Sequence, residues 1–202
     1  MAVRRRARSP RCYIDPMAGP AKRRATYDDL RAVPAHRVAE IVHGVLVTQP
    51  RPATPHAQAA SALSSELFGP FRRGKGGPGG WILLYEPELH PGDDVLVPDL
   101  AGWRREPMPE LPHTAAFDLA PDWICEVLSV STAALDRSDK LPIYAREGVR
   151  HAWLVDPIAK TLEVFRLEGP HWLLVATWSG EQEVRAEPFE AIGLELGALW
   201  AR

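Results

Sequence analysis

The sequence predicts an α/β (α+β) protein: a central mixed β-sheet with a helix on either side, an N-terminal hairpin and a C-terminal β-meander. Three observations predict it. Short apolar or alternating runs, split by Pro, Gly and Asp, recur at 81–85, 94–97, 100–103, 123–128, 152–155, 162–167 and 172–178, which is strand patterning. Only 54–71 and 132–147 hold apolar residues at helical spacing over a long stretch. With 46% hydrophobic and 25% charged residues in 202 positions, the chain can bury one core, and two independent cores are not expected.

Each element has a local cause. Thr26-Tyr-Asp-Asp29-Leu places a cap residue three positions before an acid, a capping-box start for a short helix that ends near Pro34. Val38 to Thr48 reads as a hairpin, with two β-branched runs around the turn pair His43-Gly44. Thr54-Pro55 is read as N-cap and N1 of an amphipathic helix through Phe71, with Ala57, Ala60, Leu63, Leu67 and Phe68 on one face. Five glycines in 74–80 form a loop; the phosphate-cradling G-x-x-x-x-G-K-[ST] spacing is absent. The second long helix runs from Thr132 to about Glu147 and stops at Gly148, a C′-type glycine.

Composition also excludes function classes. No run of about 18 apolar residues exists and the arginine-rich N-terminus has no apolar segment behind it, so neither a membrane span nor a secretory signal is expected. Cys12 and Cys125 make neither a disulfide framework nor a zinc site, and a reducing cytoplasm suits them. The net charge of −2 hides an asymmetry: residues 1–25 carry eight basic residues against Asp15 alone, leaving 16 basic and 25 acidic residues in the rest. The segment 1–25 is read as a basic, disordered tail, and 26–202 as one domain. A basic arm can contact nucleic acid electrostatically, though this one lacks interleaved aromatics.

The chemistry is concentrated where strands should be apolar. In Trp123-Ile-Cys-Glu126-Val-Leu128 the side chains alternate, and Glu126 shares a face with Ile124 and Leu128. A carboxylate buried there needs a metal, a cation or a raised pKa; an edge strand facing water, or a plain salt bridge, fits the pattern equally. Asp99 lies between two apolar runs, with Pro98 breaking the ladder just ahead of it, at a bend or bulge where a sheet opens. Two carboxylates from neighbouring strands make a hard-oxygen site of the kind that holds Mg²⁺ or Mn²⁺. Asp136 and Lys140 stand at i, i+4 on the next helix, either as part of that site or as a surface pair. Glu86 and Glu88 alternate onto one strand face as weaker candidates, Ser129, Ser131 and Thr132 read as turn and cap residues, and Tyr144 and Trp153 as core.

The series V-P-D-L at 97–100, I-C-E-V-L-S-V-S-T at 124–132 and D-R-S-D-K-L-P-I-Y-A-R-E-G-V-R-H-A-W-L-V-D-P at 136–157 resembles the Uma2 family of bacterial restriction endonucleases, within the PD-(D/E)XK nuclease superfamily. The resemblance covers roughly 26–200 and implies a restriction-endonuclease-like fold. It makes Pro98-Asp99 the P-D step and Glu126 the (D/E) acid. The superfamily lysine two residues after that acid is Leu128 here, and the resemblance implies that Lys140 takes its role. Glu40 and His56 also fall on characteristic polar positions. Glu40 is then a further carboxylate near the metal, or a hairpin glutamate facing solvent, and His56 a substrate-side or helix-start residue.

The expected reaction is Mg²⁺- or Mn²⁺-dependent phosphodiester hydrolysis of nucleic acid, DNA foremost, with Asp99, Glu126 and the Val127 carbonyl holding the metal and Lys140 placing the nucleophile or neutralising phosphate charge. The acidic body opposes this reading, so Arg72-Arg73-Lys75, Arg104-Arg105 and Arg146 with Arg150 are candidates for a local basic rim. The alternatives are a binding module that keeps the fold without turnover, and an acid network that is purely structural. Such folds often dimerise, so the resemblance also implies a homodimer.

Overall fold

The computed structural model of the chain describes residues 23–200, so most of the basic N-terminal segment lies outside the described residues. Thr26 caps α1 (Tyr27–Arg31) in the expected capping box, the Asp29 N–H donating to Thr26 Oγ1 and the Thr26 N–H to Asp29 Oδ2. Strands β1 (Arg37–Val42) and β2 (Val45–Pro50) form the hairpin, and His43 and Gly44 take φ of 52° and 77°. Two successive positive φ values match the right-handed twist of the flanking strands.

Helix α2 (Thr54–Leu67) begins one residue earlier than its sequence suggests, since Ala53 is the N-cap and Thr54 makes no side-chain cap. Its continuation, Phe68–Arg72, is a π-helical turn. Pro70 sits inside it, has no N–H to give to the preceding turn, and forces the hydrogen-bond register wider. The same thing happens after the sheet crossover: α3 (Ala133–Leu135), a π-turn at Asp136–Lys140, and α4 (Leu141–Arg146) run on as one helical stretch with Pro142 just past the wide turn. Gly148 closes it at φ +79°.

The remaining strands are β3 (Trp81–Tyr85), β4 (Glu88–Leu89), β5 (Leu100–Arg104), β6 (Ala116–Phe117), β7 (Trp123–Val127), β8 (His151–Asp156), β9 (Thr161–Glu168), β10 (His171–Ser179), β11 (Glu183–Val184) and β12 (Leu194–Glu195). Six of them make the central sheet, in the order β10-β9-β8-β7-β5-β3. Within this sheet only β7 and β8 pair in parallel, joined through α3 and α4; its other pairs are antiparallel, and β8-β9-β10 is the expected meander. The sheet is therefore mixed, with a helix layer on each face.

Two expectations need correction. The run 94–97 is not a ladder strand: Val95 and Leu96 make isolated bridges to Ile41 and Leu89, because Pro98 stops the run from extending. Glu86 and Glu88 do not share a strand face. Glu86 lies past the end of β3 at φ +45°, while Glu88 in β4 is hydrogen-bonded by the Tyr27 hydroxyl and by His90.

Trp123, Cys125 and Val127 face α2, and Ile124 and Leu128 face α4, so the two faces of β7 feed two separate cores. The α2-side core is closed by the segment after β10, where Phe189 sits 4.9 Å from the rings of both Trp81 and Trp123 and 5.6 Å from Trp153. Phe189→Ala opens a cavity among rigid indoles and is expected to lower unfolding free energy by about 3–5 kcal/mol, read by urea denaturation. A loss under about 1 kcal/mol would mean that the segment after β10 does not hold this core. Among the described residues no helix is long and apolar enough to cross a membrane.

Candidate active site

Four elements deliver side chains to one cleft beside the C-terminal end of β7. Glu126 is on β7 itself, and the parallel partner β8 covers its backbone. Asp99 is where β5 begins. The β5–β7 ladder ends at Leu100 opposite Cys125, Pro98 has no N–H with which to continue it, and the Asp99 side chain takes the next donor instead, the Val127 N–H at 2.7 Å from Oδ2. Glu40 is turned inward rather than to solvent, because the Ile41–Val95 bridge presses β1 against the 95–97 segment, where the Val97 N–H donates to Glu40 Oε1 at 2.8 Å.

Lys140 completes the cluster from the π-turn. Its ammonium lies 2.8 Å from Glu126 Oε1, 2.9 Å from Glu40 Oε1 and 3.6 Å from Asp136 Oδ1. All four residues are buried, at 2–3% exposure. Three carboxylates around one ammonium leave an excess of negative charge in a poorly solvated place. Burial pushes Glu126 well above the usual carboxylate range; Lys140 opposes this, while Asp136, Asp99 and Glu40 add to it. Asp136 moves up for the same reason, burial first. Burial alone would push Lys140 toward its neutral form, but Glu126 and Glu40 more than reverse it and hold the ammonium charged.

His56, near the start of α2, reaches Asp99 Oδ1 with Nε2 at 3.2 Å, and its buried Nδ1 has no partner among the described residues. Burial would lower its pKa, but the hydrogen bond and charge of Asp99 raise it overall. The structure thus brings together Asp99, Glu126, Lys140, Glu40 and His56, with Val127 contributing its N–H. Asp136 belongs to the buried cluster and is not a surface pair. Tyr144, expected as plain core, donates its hydroxyl to Glu126 Oε1 at 2.6 Å. Its spacing, four residues after Lys140 and eight after Asp136, places it on the same helix face and is the signal that could have found it. Ser129, Ser131 and Thr132 line the cleft mouth with linked hydroxyls.

The cleft measures about 440 Å³ and is floored by Glu40, Asp99, Glu126, Asp136 and Lys140. The proposed basic rim does not lie on it. Arg104 stacks over Trp81 at 4.2 Å, Arg72 over Phe68 at 5.2 Å, Arg146 pairs with Asp94 at 3.1 Å, and Arg150 reaches Asp122 at 3.9 Å. Among the described lining residues the cations are Arg51, Lys140 and, when protonated, His56.

The donor set has the chemistry of a hard divalent cation site, being all oxygen from carboxylates in a cleft with room for water. Among the described residues no group of three or more His, Cys, Asp or Glu side chains is placed to hold a metal ion together. Mg²⁺ does not need one, since it usually keeps several waters and takes one or two carboxylates. Asp99 and Glu126 fit that requirement.

A family model, Uma2, described as "Putative restriction endonuclease", matches residues 24–198. The chain belongs to the Uma2 family. A solved structure of similar fold is the crystal structure of "a putative nuclease belonging to DUF820" from Anabaena variabilis, which superposes with a TM-score of 0.70 at 20% identity, over 87% of this chain and 97% of that one. At that identity the likeness is one of fold. No curated protein matches the chain. The Uma2 match and the mixed six-stranded sheet agree with the restriction-endonuclease-like architecture that the motifs imply.

Proposed function

We propose that this Uma2 protein is a divalent-metal-dependent nuclease that hydrolyses phosphodiester bonds, with DNA as its expected substrate and residues 26–202 as its catalytic domain. The observation that carries the proposal is the convergence of Asp99, Glu126 and Lys140 in one cleft, from two strands and a helix that are separate in sequence. Restriction-endonuclease-like families generally use divalent metals, and Asp99 and Glu126 are the residues that would hold one here. When bound, Mg²⁺ or Mn²⁺ supplies Lewis-acid stabilisation of the charge developing on the scissile phosphate.

The rest is done by the chain. Lys140, already charged and aimed at Glu126, donates hydrogen bonds to the attacking water or to a phosphoryl oxygen as negative charge grows there. Tyr144 fixes the rotamer of Glu126, while His56 and the Val127 N–H hold the two oxygens of Asp99. Glu40 and Asp136 keep Lys140 in place and protonated.

Supercoiled plasmid and single-stranded circles incubated with Mg²⁺ or Mn²⁺ should be cut by the parent and spared in EDTA. Asp99→Asn should lower the rate by about a hundredfold or more. An Asp99→Asn protein that cuts as fast as the parent removes the proposal. A folded parent that retains nucleic acid without cutting it favours the alternative of a binding module.

A further inference from the structure

The cleft has a second feature that phosphodiester chemistry alone does not use: exposed apolar side chains stand at its mouth beside the Ser129 and Ser131 hydroxyls. Val130, between Ser129 and Ser131, is 98% exposed, and Ile158, on the turn between β8 and β9, is 69% exposed; both line the cleft. Pro50, Pro52 and Pro157 line it too. Val130, almost wholly in water, contributes nothing to the folded core, and together with Ile158 and the prolines it gives the mouth of the site an apolar side.

Tyr85 adds an aromatic ring. It ends the edge strand β3 at 47% exposure, beside the cleft rather than in its lining, and the next residue, Glu86, lines the cleft and donates its N–H to the Asp99 carbonyl at 3.0 Å.

Below this mouth the polar floor is recessed. Glu126, Lys140, Glu40 and Asp136 are each no more than 3% exposed, so a phosphodiester has to enter the cleft to meet them. A duplex presents its phosphates in rows along a stiff surface and is held by several cations that track them. Here Arg51 is the one arginine or lysine among the described lining residues outside the buried ion-pair cluster. An unpaired strand can fold its backbone inward and lay exposed base faces on apolar or aromatic side chains, whereas paired bases must first be unstacked.

The geometry points to single-stranded nucleic acid as the substrate class, with unpaired bases seated against Tyr85, Val130 and Ile158 while the phosphate between them reaches the floor. This rests on the nuclease reading above. It assigns to three exposed side chains the choice between unpaired and paired substrate, and to Arg51 the neighbouring phosphate.

The test is steady-state cleavage, in Mg²⁺, of a labelled single-stranded oligonucleotide and of the closed duplex of the same sequence. The parent should favour the single strand by about tenfold or more in kcat/KM, the scale expected from base stacking on side chains. Val130→Ser with Ile158→Ser, and separately Tyr85→Ser, should raise KM for the single strand about fivefold with kcat within about twofold, at unchanged melting temperature. Leu111→Ser, at an exposed apolar position that does not line the cleft, should change neither constant. Equal cleavage of the duplex, or parental KM in both folded variants, overturns the inference while leaving the nuclease intact. Failure of the folded parent to cut either form overturns the nuclease reading and this one with it.

Discussion

Lys140→Met is expected to destabilise the folded protein by about 3–5 kcal/mol at pH 8. The side chain is buried and has three carboxylates within 3.6 Å, so methionine fills much of the volume but leaves Glu40, Glu126 and Asp136 facing one another without a cation. Uncompensated buried charge is what makes removal of one partner so much worse than removal of a whole ion pair. The loss should shrink at pH 5, because protons can then take the place of the ammonium on Glu126 and Asp136, whose pKa values burial already raises. Urea denaturation at the two pH values reads both effects. Equal stability of parent and variant at pH 8 would mean that Lys140 is not the counter-ion of this cluster.

Glu126→Gln is expected to do the opposite to stability while abolishing cleavage. Glutamine keeps the shape and can still accept from Tyr144 and Lys140 at Oε1, yet it removes one of the three charges that a single ammonium must balance. The folded protein holds a proton on Glu126 after the unfolded chain has released its own above the ordinary value of 4.5. This contribution is therefore fully present below the unfolded pKa and is lost as pH rises through the higher folded value. Asp136 acts in the same direction, from 3.8 upward. The parent should lose stability as pH rises through that window, and the variant should show a flatter profile and unfold at least about 1 kcal/mol later at pH 8. A parallel pH profile for the two proteins would place the extra proton elsewhere. Stability gained by neutralising a buried acid, at the expense of activity, is the signature of a site held under electrostatic strain for function.

Much of this site was legible in the sequence because its acids interrupt apolar patterns. Glu126 stands in a run whose neighbours all go to the two cores, and Asp99 follows a proline that stops a ladder; both are visible as exceptions to strand alternation. The hairpin, the glycine loop, the meander and the helix layers follow from period and turn chemistry in the same way. What was not legible depends on register between distant segments. The inward turn of Glu40 needs the Ile41–Val95 bridge, and the pairing of His56 with Asp99 needs α2 to start above β5. Two prolines hid the π-turns, since apolar periodicity continues through Pro70 and Pro142 while the hydrogen-bond register does not. In a pattern of hydrophobic residues, the burial of Tyr144 and its hydrogen bond to Glu126 look alike. Basic residues adjacent in sequence need not share a surface: of the candidate rim, Arg72 and Arg104 stack on aromatic rings and Arg146 and Arg150 reach acids, and none of these four lines the cleft.

Whether the Asp99–Glu126–Lys140 cleft is a nuclease centre can be read from one time course. Parent and Glu126→Gln are incubated side by side with circular DNA in Mg²⁺, and again with EDTA, after both are shown to be folded. Cutting is expected from the parent alone, and only with the metal. Cutting by Glu126→Gln at the parental rate, or cutting by the parent that EDTA leaves unchanged, would mean that the cleft is not a metal-dependent nuclease centre.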